Sequence, residues 1–320
     1  MKTKAKLLAL SASLLACGLG LSGNAQANAY AFAYNQIRQG QITVVNGDAT
    51  PGQTTSSTST AGTPIPKTRL SDVQPGPNPD PEPATQGNPV RLNETIGGGG
   101  VVDATGYTPF GKIGTAYSWA DAATLTEQNT PTSFIRTRNA AEGNIVGNGI
   151  ASSQASNSST NILQIFSGGG TIQFDFEANP YEEIALDANS KIFASKAEAS
   201  LKVDITIRDT SNNSIIFNWS PDGIINTIGG SIGGTELADP ENLNGSLGTI
   251  LPGTNATFSP LNTFSAFSAK SKLIPVGLYE ISLTIAEFQN VRNTVPEPGM
   301  LALAGLALGA MGLTLRRKRV

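Results

Sequence analysis

The sequence predicts an all-β protein: a jelly-roll-like antiparallel β-sandwich, with an N-terminal signal helix before it and a short C-terminal transmembrane helix after it. Three observations lead to this prediction. Apolar and polar residues alternate in several short segments, turn-forming clusters separate those segments, and no long segment has a helical apolar period. Strict alternation gives a strand one buried and one solvated face, as in antiparallel sheets that pack face to face.

Residues 1–27 have the three parts of a secretory signal peptide. Lysines precede an apolar stretch from Leu7 to Leu21, and Ala25-Gln26-Ala27 is a small-x-small cleavage site. The predicted signal peptidase site therefore consists of Ala25 and Ala27 before the cut and Asn28 after it. This segment is removed on export and belongs to no folded domain.

An alternative interpretation concerns Cys17, the only cysteine of the chain. Leu14-Leu15-Ala16-Cys17 resembles a lipoprotein box, and lipidation there would make Cys17 the first mature residue. Leu15 fits its position poorly and the apolar stretch continues to Leu21, so ordinary signal peptidase cleavage is favoured. In either case the exported chain has no disulfide framework.

Residues 28–47 are predicted to form an N-terminal strand segment. Aromatic residues alternate with alanine from Tyr30 to Tyr34, and Ile42 and Val44 continue the strand-like composition. We expect this segment to pack on the main domain and to donate a strand to it.

Residues 48–95 differ in composition from the segments on either side. A Thr/Ser tract runs from Thr54 to Thr60, and prolines recur from Pro75 to Pro83. Few apolar side chains are present to offset the entropy of ordering the chain, so a flexible loop or linker is predicted. Pro81-Glu82-Pro83 is not followed by an apolar run.

Residues 96–293 are predicted to form the β-sandwich ectodomain. Leu201–Arg208 alternates most cleanly, and the Asp209–Asn213 turn leads into Ile215–Trp219, which together predict a hairpin. The alanine-rich segments 116–125 and 194–199 are compatible with short helices or with strands. The residues predicted to face inward on two of the strands are Val203, Ile205, Ile207, Tyr279, Ile281, Leu283 and Ile285.

Residues 294–320 combine a proline-flanked motif (295–299), an uncharged apolar run (300–315) and a basic tail (316–319). The run requires a nonpolar solvent, and cations at its end resist translocation, so the tail is expected to stay in the cytoplasm. At about 1.5 Å per residue the run spans roughly 24 Å, less than the roughly 30 Å hydrocarbon core, which suits a transient anchor. The residues involved are Pro296, Glu297 and Pro298 in the motif and Arg316, Arg317, Lys318 and Arg319 in the tail.

This C-terminal arrangement resembles the PEP-CTERM sorting signal of exosortase substrates in Gram-negative bacteria. The resemblance implies recognition by a membrane-embedded exosortase, removal of the tail and delivery to the outer surface or extracellular matrix. The expected processing partners are signal peptidase and exosortase, and the inner membrane holds the chain only transiently. The alternative is an ordinary single-pass anchor that follows a proline-rich turn.

Five further segments are similar to the EDSAP group of exosortase-dependent surface proteins. They are residues 28–37, 116–121, 174–181, 217–223 and 234–244. The Thr/Ser/Pro-rich insertion is long for that group. The resemblance implies a surface or matrix location and no established enzymatic activity.

The charge distribution argues against nucleic acid and anionic lipid as partners. Seven of the 21 basic residues lie in the signal peptide or in the basic tail, whereas all 24 acidic residues lie within residues 28–298. The exported part therefore carries 14 basic residues and a net charge near −10. Phosphate binding depends on Lys and Arg, which are in the minority here.

The chain contains no histidine, which removes Ser-His-Asp and Cys-His nucleophiles and His-based zinc sites. A carboxylate pair remains conceivable, and Asp175 and Glu177 share one face of a predicted strand. Because Phe174 and Phe176 flank these acids, the solvated face of an amphipathic strand is the favoured interpretation. We predict no catalytic residue, no cofactor and no enzyme.

Two tryptophan segments are candidates for ligand binding. Trp219 is a possible sugar-stacking platform beside Asn218 and Asp222, and Trp119 has the same potential. The alternative places both rings in the core and makes Pro221-Asp222-Gly223 a tight turn. Aromatic residues make up only 6% of the chain, which favours the core.

Asp209, Asn212 and Asn213 are candidate oxygen ligands for calcium. Asx-rich hairpin turns generally need no metal, so we predict no metal site and keep calcium as the minor alternative.

Three functions are compatible with these observations. A structural protein of the cell surface or biofilm matrix requires only export, sorting and a sandwich. The alternative is a carbohydrate-binding or adhesive module, and the third possibility is a carboxylate-based glycosidase. Exosortase systems commonly accompany exopolysaccharide gene clusters, which makes exopolysaccharide an expected partner and Thr54–Thr60 a candidate for O-linked sugar.

Overall fold

The computed structural model of the chain describes residues 27–45, 67–71, 109, 111–112, 116–129, 132–165 and 168–295. All regular structure in these ranges is β-strand, and the all-β, antiparallel prediction is confirmed. The predicted signal helix and C-terminal helix lie outside these ranges. Within them, no helix has the length and apolar character needed to cross a membrane.

The strands, in chain order, are β1 (Asn28–Val45), β2 (Lys67–Ser71), β3 (Tyr117–Asn129), β4 (Thr132–Val146), β5 (Gly149–Ile165), β6 (Thr171–Leu186), β7 (Lys196–Asp209), β8 (Ile215–Trp219), β9 (Thr227–Ile228), β10 (Gly234–Ala238), β11 (Ser246–Thr249), β12 (Thr254–Phe258), β13 (Ser265–Ser271) and β14 (Gly277–Asn293).

The strands form two antiparallel sheets. The first sheet has the order β3-β4-β1-β6-β13-β10-β9, and β12 also pairs with β6. The second sheet has the order β11-β7-β14-β5-β2, and β8 also pairs with β7. The long strands β1 and β14 are central, because each is paired on both edges. Within the predicted 48–95 loop, Lys67–Ser71 forms β2 at the edge of the second sheet.

The alternating segments form strands as the sequence predicts. The hairpin joins β7 to β8, and β14 contains the alternating segment 277–285. The seven residues predicted to face inward are all buried, which confirms that part of the prediction. They share one apolar cluster with Ile172, Phe174 and Phe176 of the first sheet. Side chains of both sheets therefore meet in one core, as a sandwich requires, while the jelly-roll connectivity stays a prediction.

The alanine-rich segments are strands and not helices. Residues 116–125 fall largely in β3, and Ala197 and Ala199 lie on β7. Ala197 and Ala199 pack with Ala29, Ala31 and Ala33 of β1 in a second cluster between the sheets. Alanine favours helices in isolation, but here its small side chain lets two sheets pack closely, and tertiary packing overrides propensity.

Strand β1 is buried on both faces. Its alanines face the second sheet, while Tyr30, Phe32 and Tyr34 pack on the opposite face with Trp119. A β-bulge between Ile37 and Gly40 then shifts the register. Gln39 within the bulge has a φ of 54°, in the left-handed region.

A layer of buried polar side chains separates the two apolar clusters of the interior. On β1, Asn35 lies between the alanine cluster and Ile37, and on β14, Glu287 follows Ile285. The Asn139 amide of the first sheet donates a 3.3 Å hydrogen bond to the Ile285 carbonyl of the second. Burial raises the pKa of Glu287 well above its ordinary value, although the nearby Asn139 amide opposes the shift.

Replacing Ile281 with alanine should lower the free energy of unfolding by about 2–5 kcal/mol, because a large side chain leaves a close-packed core. Leu278→Ala on the same strand is the matched control, since Leu278 is exposed and should change stability by less than about 0.5 kcal/mol. Urea unfolding followed by tryptophan fluorescence measures both. Equal losses in the two variants would contradict this assignment of the core.

Glu182 should make the fold less stable as pH rises. Burial raises the pKa of Glu182 to about 8, against an ordinary 4.5, and a backbone hydrogen bond from Leu247 only partly opposes this. The folded chain keeps the proton after the unfolded chain has lost it, so the stabilisation is full below pH 4.5 and is lost towards pH 8.

Glu182→Gln cannot ionise and should reduce this loss by roughly 2–4 kcal/mol, with a smaller slope left by Glu287. Unfolding free energies of both chains across this pH range measure the effect. An unchanged slope in the variant would show that Glu182 is not protonated in the fold.

Candidate functional site at the chain-exit end

The two ends of the described fold lie side by side. The last strand, β14, ends at Asn293, whose side-chain Nδ2 donates a 2.6 Å hydrogen bond to the Ala27 carbonyl. The Gly147 amide donates to the same carbonyl at 2.9 Å. Ala27 and Asn293 are both buried, so the N-terminal and C-terminal segments leave the fold at the same place.

The loop between β6 and β7, residues 187–195, holds Thr294. The Lys191 amide donates to the Thr294 carbonyl at 2.8 Å, and the Thr294 amide donates to Ser195 Oγ at 2.9 Å. The Thr294 hydroxyl donates to the Ala194 carbonyl at 3.2 Å. Backbone and side chain of Thr294 are therefore both fixed to the fold.

Two more turns complete this end of the molecule. Asn148, between β4 and β5, accepts a 2.6 Å hydrogen bond from the Val295 amide through Oδ1. Gly253, between β11 and β12, donates to the Leu186 carbonyl at 2.7 Å. We call the whole region the chain-exit end; it consists of residues 27–28, 147–148, 187–195, 250–253 and 294–295.

The segment that starts here matches a known sorting signal. Residues 294–319 match the PEP-CTERM protein-sorting motif. This motif implies an exported, exosortase-sorted protein that passes through the membrane to the cell surface, because PEP-CTERM signals are processed by exosortase. Comparison with curated proteins and with solved structures found no significant match. The EDSAP resemblance is not confirmed.

The sorting motif begins directly after the last strand of the fold. The match starts at Thr294, the first residue after β14, so no spacer separates a central strand from the signal. The remaining predicted processing residues lie outside the described ranges, and their roles stay predictions. They are Ala25, Pro296, Glu297, Pro298, Arg316, Arg317, Lys318 and Arg319.

The predicted signal peptidase bond, between Ala27 and Asn28, is part of the folded structure. The Asn28 amide donates to Asp187 Oδ2 at 2.8 Å, and the Ala27 carbonyl is bound as described above. A protease needs an accessible, extended bond, so cleavage at this position has to precede folding. It would leave the new α-ammonium of Asn28 facing the Asp187 carboxylate.

The two tryptophans do not form a sugar-stacking surface. Trp219 is 1% exposed and its ring lies 5.5 Å from that of Phe176. Trp119 is 3% exposed, and its Nε1 donates to Glu142 Oε2 at 2.7 Å. Neither ring has an accessible face, so both rings lie in the interior, as the favoured interpretation of the sequence has it, and not on a sugar-binding surface.

The other two residues of the predicted ligand site have structural partners. The amides of Asp222 and Gly223 donate to Asp239 Oδ2 at 2.9 and 3.0 Å, and Gly223 has a φ of 81°. Asp222 Oδ1 accepts from the Ile224 amide at 2.9 Å. Asn218 is exposed, and its amide pairs with the Gly229 carbonyl. This is the tight turn of the alternative interpretation.

The calcium candidates are engaged within their own hairpin turn. Asp209 Oδ1 accepts from the hydroxyl and the amide of Ser211 at 2.7 and 2.8 Å, and these bonds hold the pKa of Asp209 below its ordinary value. Asn212 Oδ1 accepts from the Ser214 amide at 2.9 Å, and Asn213 Oδ1 from Arg208 at 3.0 Å. Across the described ranges, no three acidic side chains form a cluster suited to a metal ion.

Asp175 and Glu177 have separate partners on the outer face of β6. Asp175 Oδ1 accepts from Ser268 Oγ at 2.6 Å, and Glu177 forms a 2.6 Å ion pair with Arg38. The two carboxylates are neighbours along one strand and do not face each other across a cleft, as the carboxylates of a glycosidase do.

A buried carboxylate that sequence reasoning missed lies on β4. Glu142 Oε1 accepts from the Tyr30 hydroxyl at 2.9 Å, the Tyr117 hydroxyl at 2.8 Å and the Gly111 amide at 2.8 Å, while Oε2 accepts from Trp119. Burial, followed by the charge of Glu142, raises the pKa of Tyr30. The aromatic blocks that contain Tyr30, Tyr117 and Trp119 are visible in the sequence. That these side chains all bind Glu142 depends on strand pairing and could not be predicted from it.

Asp187→Asn should lower the free energy of unfolding of the mature chain by about 1 kcal/mol below pH 7, because it removes the ion pair with the Asn28 α-ammonium. An α-amino group deprotonates near pH 8, so the loss should shrink above about pH 9. Urea unfolding of both chains at two pH values measures this. A pH-independent loss would indicate that the mature chain does not begin at Asn28.

Proposed function

We propose that the chain is a non-catalytic structural protein of the cell surface or extracellular matrix of a Gram-negative bacterium. The observation that carries this proposal is the sorting motif at residues 294–319, joined without a spacer to the last strand of a rigid all-β ectodomain. Such a chain needs only to be exported, cut and released to reach its place.

The described side chains support a structural role. The acids considered for catalysis or metal binding hold turns and strands, and both tryptophans are buried. The absence of histidine from the whole sequence removes the commonest general base. Long paired strands give the ectodomain rigidity, which suits a matrix component.

Exopolysaccharide is the partner that we propose for the matrix form. The exported part is acidic, so contact would depend on hydroxyl groups and divalent cations and not on basic patches. Thr54–Thr60, the candidate for O-linked sugar, lies outside the described residues.

Replacing Pro296, Glu297 and Pro298 with alanine should leave the ectodomain folded but keep the chain in the inner membrane with its tail uncut. The reason is that the proline-flanked carboxylate presents an extended segment that a protease can read. Intact-mass spectrometry of membrane and surface fractions measures the fraction cut, which should fall at least about tenfold.

The chain contains its own matched control. Pro81-Glu82-Pro83 has the same three residues without a following apolar run, and its replacement by alanines should leave processing unchanged. The strains that carry these two variants also test the matrix role, because only the strain with the 296–298 replacement should lose adherent matrix. Two results would refute the proposal. One is that the sorting variant reaches the surface with its tail removed, and the other is that the native chain is processed normally in cells without exosortase.

A further inference from the structure

Four large apolar side chains are exposed at the chain-exit end. In the 187–195 loop, Phe193 is 83% exposed and Ile192 is 55% exposed; in the 250–253 loop, Leu251 and Ile250 are 60% and 45% exposed. Phe193 also has a φ of 62°, which is uncommon for a bulky residue. These side chains are therefore held in solvent although exposing apolar surface to water is unfavourable.

Both loops are tied to the point where the sorting segment leaves. Lys191 and Ser195, on either side of Ile192 and Phe193, hydrogen-bond Thr294. The 250–253 loop connects β11 of one sheet to β12 of the other and is attached to Leu186, the last residue of β6. The four side chains thus lie on two loops at the same end of the molecule.

The tether to the apolar run is short. Val295 is fixed by Asn148, and Met300 begins the run, so the two residues are at most about 18 Å apart even in a fully extended chain. Each interfacial layer of a bilayer is roughly 5–8 Å thick. When the run is inserted, the chain-exit end therefore lies within about 10–13 Å of the headgroup surface at most.

Apolar exposure alone does not select this surface. Ile224, Ile225, Leu273 and Val276 are exposed as well. Leu273 and Val276 precede β14, and the 17 residues of that strand place them roughly 55 Å from Asn293. The short connection between Val295 and Met300 decides which end of the fold faces the membrane. Leu273 and Val276, at the opposite end, therefore serve as controls.

We propose that Ile192, Phe193, Ile250 and Leu251 form a membrane-contact surface that rests on the lipid bilayer while the C-terminal run is inserted. This inference rests on the membrane insertion of residues 300–315 in the proposed function. Contact with the interface orients the ectodomain and holds the sorting motif at a constant height for the protease. Lys191, exposed beside these residues, faces the anionic headgroups.

The test uses the exported chain from Asn28 to Val320, which keeps the C-terminal apolar run and contains no cysteine. Phe193→Cys and Val276→Cys each introduce one cysteine, which is labelled with a polarity-sensitive fluorophore. The chains are reconstituted into phosphatidylethanolamine–phosphatidylglycerol vesicles that contain nitroxide-labelled lipid. We expect the label at position 193 to be quenched at least about twofold more by the nitroxide lipid, and less by aqueous iodide, than the label at 276.

The outcomes separate this inference from the proposed function. A chain that floats with the vesicles but shows equal quenching at both positions refutes the contact surface alone. A label at 193 that is shielded from iodide but not quenched by nitroxide lipid indicates contact with a second copy of the chain and refutes the lipid assignment. A chain that does not float refutes membrane insertion, and the inference falls with it.

A paired substitution tests the consequence in cells. Ile192→Ser with Phe193→Ser should slow removal of the tail at least about threefold, because the motif is no longer held against the membrane. Leu273→Ser with Val276→Ser makes the same polarity change at the distal end and should process at the normal rate. Equal rates in the two variants would overturn the role in processing, and urea unfolding midpoints verify that both variants are folded.

Discussion

The pairing of β14 on both of its edges is the constraint on which the rest of the structure depends. It pairs with β5 from Gly277 to Asn293 and with β7 from Tyr279 to Arg292. Its inward residues form much of the apolar core, and its last residue contacts Ala27 and precedes the sorting motif. A central strand is the most rigid element of a sheet, so the fold firmly holds Asn293 and Thr294, where the sorting segment begins.

The most distinctive segments of the sequence supply hydrogen-bond partners for polar groups inside the fold. Tyr30 and Trp119, from two of the aromatic blocks, meet at the carboxylate of Glu142. The 217–223 and 234–244 blocks meet where Asp239 binds the turn at Asp222 and where Asn244 donates to the Pro221 carbonyl at 2.9 Å. A buried polar group without partners is costly, so these residues are explained by folding before any ligand is considered.

The buried polar layer between the sheets makes stability depend on pH. Glu182 and Glu287 lie inside and have raised pKa values because burial disfavours their charged forms. Both groups favour the fold at acidic pH and weaken it as pH rises. The buried carboxyl groups therefore set the pH range in which the fold is stable, whereas the chain-exit end holds the first residue of the sorting motif.

Local pattern in the sequence was enough to predict the strands of strict alternation, the buried faces of β7 and β14, and the sorting segment. The Ala-rich segments, Trp119 and Trp219 stayed ambiguous, since alanine and tryptophan are compatible with several environments. Three contacts appear only in the folded chain: Ala197 packs with the alanines of β1, Glu142 binds three aromatic side chains, and residues 187–195 bind Thr294. These contacts join residues far apart in the chain, and pairing between distant strands is not encoded in any local period.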